Sequence, residues 1–290
     1  MALLIQAPRA IVGRIARGVT GAPSPLAGRT VLVTGASSGI GRATALAVAA
    51  RGAYVLLVAR RVTDLEAVRA EIVAAGGRAS VHPCDLTDGE AIDALVAEVL
   101  GQYGAVDYLV NNAGRSIRRS LDLSYDRFHD FERTMAINYF GPVRLTMGLL
   151  PAMRAQRFGH VVNILSWGVQ IKAPKFSAYL ASKAALDVFS RIAGRETYFE
   201  NVTFTNMRVS TVNTAMTAPT EAYAGRGLAA ETVAARVVRA LEDRPLTVDT
   251  RFAQAYELLN LLAPRLADLG MAIAHRAASD SAAARGTRSS

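Results

Sequence analysis

The apolar positions of the chain form short β-branched runs that alternate with longer stretches of helical periodicity. Strands are predicted at residues 30–34, 54–58, 79–83, 108–111, 160–165 and 202–209, with a short edge strand at 247–250. Helices are predicted at residues 40–51, 64–75, 90–103, 127–154, 178–199 and 229–242. Nearly all strand positions are apolar, which is typical of parallel strands that helices cover on both faces. The pattern predicts one doubly wound α/β domain with a parallel sheet of about seven strands.

The segment before this domain has a different character. Residues 1–27 contain three arginines and no acid. Four apolar residues of this segment share one helical face: Leu4, Ile11, Ile15 and Val19. We interpret the segment as a packed or frayed extension, and a basic membrane-surface helix is the alternative.

The domain is placed at residues 28–250, and residues 251–290 form a C-terminal extension. Two apolar helices are predicted there, at 252–262 and 266–275, separated at Pro264. These helices contain a leucine stripe, formed by Leu258, Leu259, Leu261, Leu262 and Leu266. The stripe is expected to serve packing or an oligomer contact, with a lid over an acyl chain or a membrane contact as the alternative. The last fifteen residues are small, polar and basic, and we expect them to be disordered.

Charge and cysteine content narrow the classes of partner. Lysine and arginine number 33 against 24 acids, which gives a formal net charge of +9. No basic cluster is interleaved with aromatic residues, so nucleic acid is not expected as a partner. The single cysteine, Cys84, excludes an internal disulfide and fits a reducing compartment. No apolar run reaches the length of a bilayer span, and the histidines show no metal-ligand spacing. We therefore expect a cytoplasmic protein without a metal, with peripheral membrane contact left open.

A glycine-rich turn follows the first strand and opens the first helix. Glycines allow a tight turn and close approach to a pyrophosphate, and the free N–H groups of the helix start bind the anion. The strand–turn–helix context makes this motif much more specific than glycine spacing alone. The residues expected to hold a dinucleotide here are Gly35, Ser37, Ser38, Gly39, Ile40 and Gly41.

The end of the second strand predicts the choice of nicotinamide cofactor. An acid at this place would favour NAD, because it would accept hydrogen bonds from the ribose hydroxyls. Here the strand is followed by Arg60, and Arg42 lies just after the glycine turn. Because arginine pairs well with phosphate, we expect both residues to face the 2′-phosphate of NADP. Asp85, after the third strand, is expected to meet the adenine edge.

A second group of polar residues indicates proton chemistry. Tyr179 and Lys183 are four apart on a predicted helix and share one face. A nearby ammonium lowers the pKa of a phenol, so the tyrosine is expected to exchange protons near neutral pH. Ser166 ends the fifth strand, where its hydroxyl can hold a carbonyl oxygen beside the phenol. Asn138 lies in an upstream helix, and the turn after the fourth strand contains Asn112, Ala113 and Gly114.

Together these residues make the chain similar to the classical short-chain dehydrogenases/reductases, a family of Rossmann-like oxidoreductases. The resemblance implies that Tyr179 is the general acid in reduction and that Lys183 also binds the nicotinamide ribose. It implies that Ser166 orients the carbonyl and that Asn138 holds a water in a proton relay. Asn112, Ala113, Gly114 and Thr214 would contact the cofactor. Members of the family are often dimers or tetramers, so the resemblance also implies a homo-oligomer.

Further motifs resemble the bacterial fatty acyl-CoA reductases of this superfamily. They are the segments 111–119, 126–135, 176–179 and 182–187, and the tail 280–286. The resemblance implies NADPH-dependent reduction of a long-chain fatty acyl-CoA or fatty aldehyde. Arg115, Arg118 and Arg119 could then attract the phosphates of coenzyme A, the alternative being a solvated basic loop.

Two departures from that group affect the expected substrate. Residues 209–216 lack the prolines and the arginine that the group usually shows there, and the bulky Trp167 follows Ser166. An indole at this place predicts a narrower pocket. Two alternative functions therefore stay open: an oxidoreductase of ketones or secondary alcohols, with a steroid-like or 3-oxoacyl substrate, and a catalytically idle dinucleotide-binding module.

Overall fold

In a computed structural model, the described part of the chain comprises residue 13 and residues 21–217 and 227–285. The apolar face predicted within residues 1–20 lies outside the described residues, and so do the last five residues of the tail.

One parallel sheet forms the centre of the described chain. Its seven strands lie in the order β3-β2-β1-β4-β5-β6-β7, and every neighbouring pair is parallel. The strands are β1 (Thr30–Thr34), β2 (Tyr54–Ala59), β3 (Arg78–Pro83), β4 (Tyr108–Asn111), β5 (Gly159–Ser166), β6 (Val202–Val209) and β7 (Thr247–Val248). The strand order reverses between β1 and β4, which is the place where such sheets bind ligands. The predicted α/β class and sheet are confirmed.

Helices cover both faces of the sheet. Their bounds are α1 (Gly39–Ala49), α2 (Val62–Ala74), α3 (Gly89–Tyr103), α4 (His129–Met135), α5 (Gly141–Ala155), α6 (Gly168–Ile171), α7 (Ser177–Glu196), α8 (Ala230–Asp243), α9 (Arg251–Leu262), α10 (Pro264–Ala277) and α11 (Ala282–Arg285). Side chains alternate along β1, so Val31 and Val33 enter one core with α1 and α8, and Leu32 enters the other with α3 and α5. Burial on both faces explains why the strands are almost entirely apolar.

The predicted long helix at 127–154 is a pair of helices. A π-helical turn, Ala136–Phe140, joins α4 to α5 and shifts the helical register by one residue. Such turns are frequent at functional sites. This one contains the buried Asn138.

The C-terminal helices begin and end close to their predicted bounds. Pro264 occupies the first turn of α10, where its missing N–H leaves no helical hydrogen bond unmade. The leucines of the predicted stripe remain exposed on α9 and α10; Leu261, for example, keeps 77% of its surface. Among the described residues, no helix combines the length and apolar character needed to cross a bilayer.

The prediction of a disordered tail is wrong for residues 276–285. Helix α10 continues to Ala277, and α11 follows at Ala282–Arg285. The carboxylate of Asp280 accepts a hydrogen bond from the Ser120 N–H at 3.1 Å and pairs with the Lys175 ammonium at 3.2 Å. Two loops of the domain thus hold the segment, which composition alone does not reveal.

Candidate active site

A cavity of about 780 Å³ opens at the carboxyl ends of the strands. The loops that follow six strands, β1 to β6, line it, and it lies at the switch point between β1 and β4. Three of the four predicted catalytic residues line it: Ser166, Tyr179 and Lys183. The fourth, Asn138, is fully buried and does not reach the cavity surface.

The glycine turn after β1 is built for close backbone approach. Gly35 has a φ of +64°, and a Cβ at Gly41 would collide with the Gly35 carbonyl oxygen and approach Asn112 Nδ2 to 2.5 Å. Asn112 supports the turn, because its Nδ2 donates to the Thr34 carbonyl at 2.9 Å. The Thr34 hydroxyl accepts hydrogen bonds from the N–H groups of Asn112 and Ala113. The turns after β1 and β4 therefore form one unit.

The start of α1 offers an anion site inside this unit. Ser38 precedes the helix without a side-chain capping bond, and the first turn contains no acid. Backbone N–H groups and the helix dipole are therefore available to a negative group at this end. Thr214 lies against the turn, with its methyl group 3.2 Å from where a Cβ of Gly39 would be. These features fit the diphosphate of a dinucleotide.

Of the two arginines expected to face the 2′-phosphate, Arg60 lines the cavity and Arg42 does not. Arg60 lines the cavity with a side chain that is 70% exposed, 3.9 Å from Asp85. Arg42 is ion-paired to Glu71 of α2 and is not part of the cavity lining. Arg61, which the sequence did not single out, lines the cavity and pairs with Asp64.

Asn138 ties the β4 loop to α7. Its Oδ1 accepts from the Arg115 N–H at 2.9 Å, and its Nδ2 donates to the Arg115 carbonyl at 2.8 Å and to Ser182 Oγ at 3.0 Å. Ser182 in turn donates to the Tyr179 carbonyl. The π-helical turn thus fixes the loop and the helix that contains the tyrosine.

Lys183 is buried beside this network. Its Nζ donates to the Ile164 carbonyl at 2.9 Å, and burial lowers the pKa of the ammonium to about 8. A Cβ on Gly114 would lie 2.8 Å from Asn138 Oδ1 and 3.2 Å from Lys183 Nζ. Glycine at this position therefore leaves the room that the amine occupies.

The pKa of Tyr179 is shifted in the direction opposite to the one that the sequence predicted. Burial raises the pKa of Tyr179 to about 12, and a hydrogen bond with the Ser166 side chain acts in the opposite direction. The predicted lowering of the Tyr179 pKa by Lys183 is therefore wrong: burial is the largest influence on the phenol, and the Lys183 ammonium donates to the Ile164 carbonyl. The structure nevertheless brings Tyr179, Ser166 and Lys183 into one cavity, as the sequence predicted.

An apolar wall faces the tyrosine. The Phe176 ring packs against Tyr179 at 6.2 Å between centroids, and the Trp167 ring packs against Phe252 of α9 at 5.7 Å. Ile171, Leu180 and Met216 also line this part of the cavity. The contact with Phe252 was missed, because residues 85 positions apart in sequence give no local signal of their packing.

The three arginines of the basic loop after β4, Arg115, Arg118 and Arg119, do not share the same surroundings. Arg115 is exposed and lines the cavity. Arg118 donates to the Ser279 carbonyl at 2.9 Å, and Arg119 pairs with Asp130 at 3.1 Å and donates to the Ala284 carbonyl. Neither Arg118 nor Arg119 lines the cavity. Both residues therefore contact the C-terminal tail and do not face the cavity, where the phosphates of coenzyme A would have to bind.

Comparison with known proteins places this site in a family. A sequence model described as short chain dehydrogenase matches residues 29–224, about two thirds of the chain. The chain belongs to the short-chain dehydrogenase family. This short-chain dehydrogenase is 46% identical over 260 residues to a fatty acyl-CoA reductase of Acinetobacter baylyi, covering 89% of this chain and 88% of that protein. A second fatty acyl-CoA reductase, from Mycobacterium tuberculosis, is 46% identical over 245 residues and covers 84% and 83% of the two chains.

Solved structures agree with the fold. A short-chain dehydrogenase of Streptomyces avermitilis superposes with a TM-score of 0.72 at 33% identity, covering 87% of this chain and 98% of that one. A metagenomic short-chain oxidoreductase in complex with NADP superposes with a TM-score of 0.68 at 33% identity. The match covers 78% of this chain and 97% of that one. The protein is therefore an NAD(P)-dependent oxidoreductase by family.

Proposed function

We propose that this short-chain dehydrogenase reduces long-chain fatty acyl-CoA thioesters or fatty aldehydes with NADPH. The observation that carries the proposal is one cavity lined by Tyr179 and Ser166, by the dinucleotide-fitting turn and by the apolar wall. The two fatty acyl-CoA reductases at 46% identity support the acyl substrate, since their similarity extends over more than four fifths of the chain.

The choice of NADPH rests on the end of β2. Arg60 lies in the cavity with an exposed guanidinium, and no acid occupies the two positions after Ala59. A guanidinium there pairs with a 2′-phosphate in a charge-assisted contact. Arg42 would join it only by leaving Glu71. Two solved neighbours at 33% and 30% identity contain NADP, which supports the same choice.

The residues of the cavity have separate tasks in this reaction. When bound, the cofactor supplies the hydride that reduces the carbonyl carbon. Tyr179 donates its phenol proton to the carbonyl oxygen, and Ser166 holds that oxygen beside the phenol. Lys183 would hold the nicotinamide ribose, and Asn138 holds the backbone of the β4 loop in place. With a thioester, the carbon–sulfur bond then breaks, CoA leaves as the thiol and the aldehyde remains.

The experiment that tests the proposal measures oxidation of NADPH with long-chain acyl-CoAs, long-chain aldehydes and bulky ketones, with NADH in parallel. We expect turnover of acyl-CoA or aldehyde, and at least tenfold lower kcat/KM with NADH. Arg60→Leu should remove most of that cofactor preference without abolishing turnover with NADH, because only the 2′-phosphate loses its partner. Turnover of ketones alone would contradict the acyl substrate and favour the alternative class.

A further inference from the structure

The cavity contains a cation that has no counter-ion within the described residues. Arg115 is exposed, lines the cavity and forms no ion pair with residues 21–217 or 227–285. Its neighbours Arg118 and Arg119 are occupied by carbonyl groups of the tail and by Asp130. Arg118 and Arg119 therefore hold the tail in place, and Arg115 is the arginine of this loop that lines the cavity.

A second arginine joins it from α4. Arg133 lines the same cavity with a side chain that is 55% exposed, 3.8 Å from Asp130. That carboxylate is already closer to Arg119, at 3.1 Å, and to Arg127, at 3.4 Å. Three guanidinium groups thus share the Asp130 carboxylate, and Arg133, the most distant of the three, is only weakly paired with it.

Asn138 connects the loop of Arg115 to the helix that contains Tyr179. Its side chain holds the backbone of Arg115 through two hydrogen bonds. It also follows Arg133 by five residues, which is roughly 7 Å along a helix axis. An anion bound by Arg115 and Arg133 would therefore lie in the cavity that contains Tyr179, on the side of the β4 loop.

The anionic groups of the cofactor have other places in this cavity. Its diphosphate fits the start of α1, and Arg60 stands at the end of β2 for the 2′-phosphate. A fatty aldehyde has no phosphate, whereas an acyl-CoA has a diphosphate at the end of the pantetheine arm opposite its thioester. Guanidinium groups bind phosphate oxygens in a planar, bidentate geometry. Building on the proposed function, we infer that Arg115 and Arg133 bind the diphosphate of coenzyme A.

The test compares two substrates with the same acyl chain, one with CoA and one without. We expect Arg115→Met and Arg133→Met each to lower the ratio of kcat/KM for acyl-CoA to that for the aldehyde by about fivefold to tenfold. The KM for NADPH should stay within twofold. Arg195→Met, which removes an exposed arginine of α7 outside the cavity, should leave the ratio unchanged. Equal losses for both substrates would overturn the inference.

A binding measurement separates this inference from the proposed function. Free CoA is titrated into the NADP⁺-loaded protein by calorimetry, which requires no turnover. Binding that weakens at least tenfold in the Arg115→Met/Arg133→Met double variant supports the site, even if the wild-type enzyme reduces only ketones. Absence of CoA binding to the wild type, unchanged binding in the double variant, or a parallel loss of NADP⁺ affinity would overturn it.

Discussion

The phenol of Tyr179 and the ammonium of Lys183 are shifted in opposite directions by one cause. Burial raises the pKa of the tyrosine to about 12 and lowers that of the lysine to about 8. Desolvation favours the neutral form of each group. A neutral phenol is the form that donates a proton, which is what carbonyl reduction requires of it.

The phenol of Tyr179 is the group whose removal should affect catalysis most. Tyr179→Phe removes the proton donor and keeps the ring that packs against Phe176. We expect kcat to fall by roughly 10²- to 10⁴-fold, the usual contribution of a general acid. NADPH affinity, measured by fluorescence titration, should be nearly unchanged. Tyr198→Phe, at a tyrosine that is 68% exposed, is the matched control. Wild-type turnover in Tyr179→Phe would refute the assignment.

His160 is a buried histidine that does not line the cavity. Burial, with the nearby Arg244 in second place, lowers the pKa of His160 to about 3. The unfolded chain therefore binds a proton below about pH 6.5 that the folded chain does not bind. Above about pH 6.5, His160 does not change the free energy of unfolding. As the pH drops from about 6.5 toward 3, that free energy falls, by roughly 3 kcal/mol at pH 4.

Urea unfolding between pH 7 and pH 4 measures this dependence. His160→Asn removes the titrating ring, and its free energy of unfolding should fall less steeply over this interval than that of the wild type. Parallel slopes for the two proteins would show that His160 does not contribute.

At the scale of single elements, the start of α1 depends on a glycine. A Cβ at Gly41 meets the Gly35 backbone and the Asn112 amide. We expect Gly41→Ala to weaken NADPH binding by more than tenfold and to lower Tm. Gly101→Ala on α3, where a Cβ meets nothing within 4 Å, should leave binding unchanged and should not lower Tm. Equal NADPH affinity in both variants would contradict the role of this turn.

The tail is an element whose contribution to stability rests on Asp280. Burial acts to raise the pKa of Asp280, but hydrogen bonds from Ser120 and Lys175 outweigh it and hold the pKa below its usual range. Asp280→Ala leaves the Lys175 ammonium, which is only 5% exposed, without its carboxylate. We expect a loss of about 2 kcal/mol in the free energy of unfolding.

Ser279→Ala is the matched control for this loss, because Arg118 uses only the carbonyl of that residue. Chemical unfolding of the three proteins tests the prediction. Equal stability of Asp280→Ala and the wild type would show that the tail does not hold the loops.

The sequence predicts the elements that have a local signal. Apolar strands, the glycine turn and the Tyr179–Lys183 spacing each depend on neighbouring residues, and the structure contains all of them. The contact of Asp280 with Ser120 and that of Trp167 with Phe252 join distant segments, so periodicity does not reveal them. The shift of Tyr179 also escaped the sequence, because desolvation depends on three-dimensional burial.

At the scale of the whole molecule, apolar side chains on two long helices predict self-association. Phe140, Met147, Val188 and Ile192 of the π-helical turn, α5 and α7 are each at least half exposed. Exposed apolar patches of this kind mark contact surfaces. We expect a homo-oligomer in sedimentation measurements, and a smaller species for Ile192→Glu. A wild-type monomer would contradict the expectation.

We propose that this molecule transfers hydride from NADPH to an acyl carbonyl. The most direct test incubates the enzyme with NADPH deuterated at the transferring position and a long-chain acyl-CoA, followed by mass spectrometry of the products. We expect a fatty aldehyde or alcohol with deuterium at its first carbon, together with free CoA. A bulky ketone is added to a second sample. If the acyl-CoA stays unreduced while the ketone becomes a deuterated alcohol, the enzyme is a ketone reductase and the acyl substrate is ruled out.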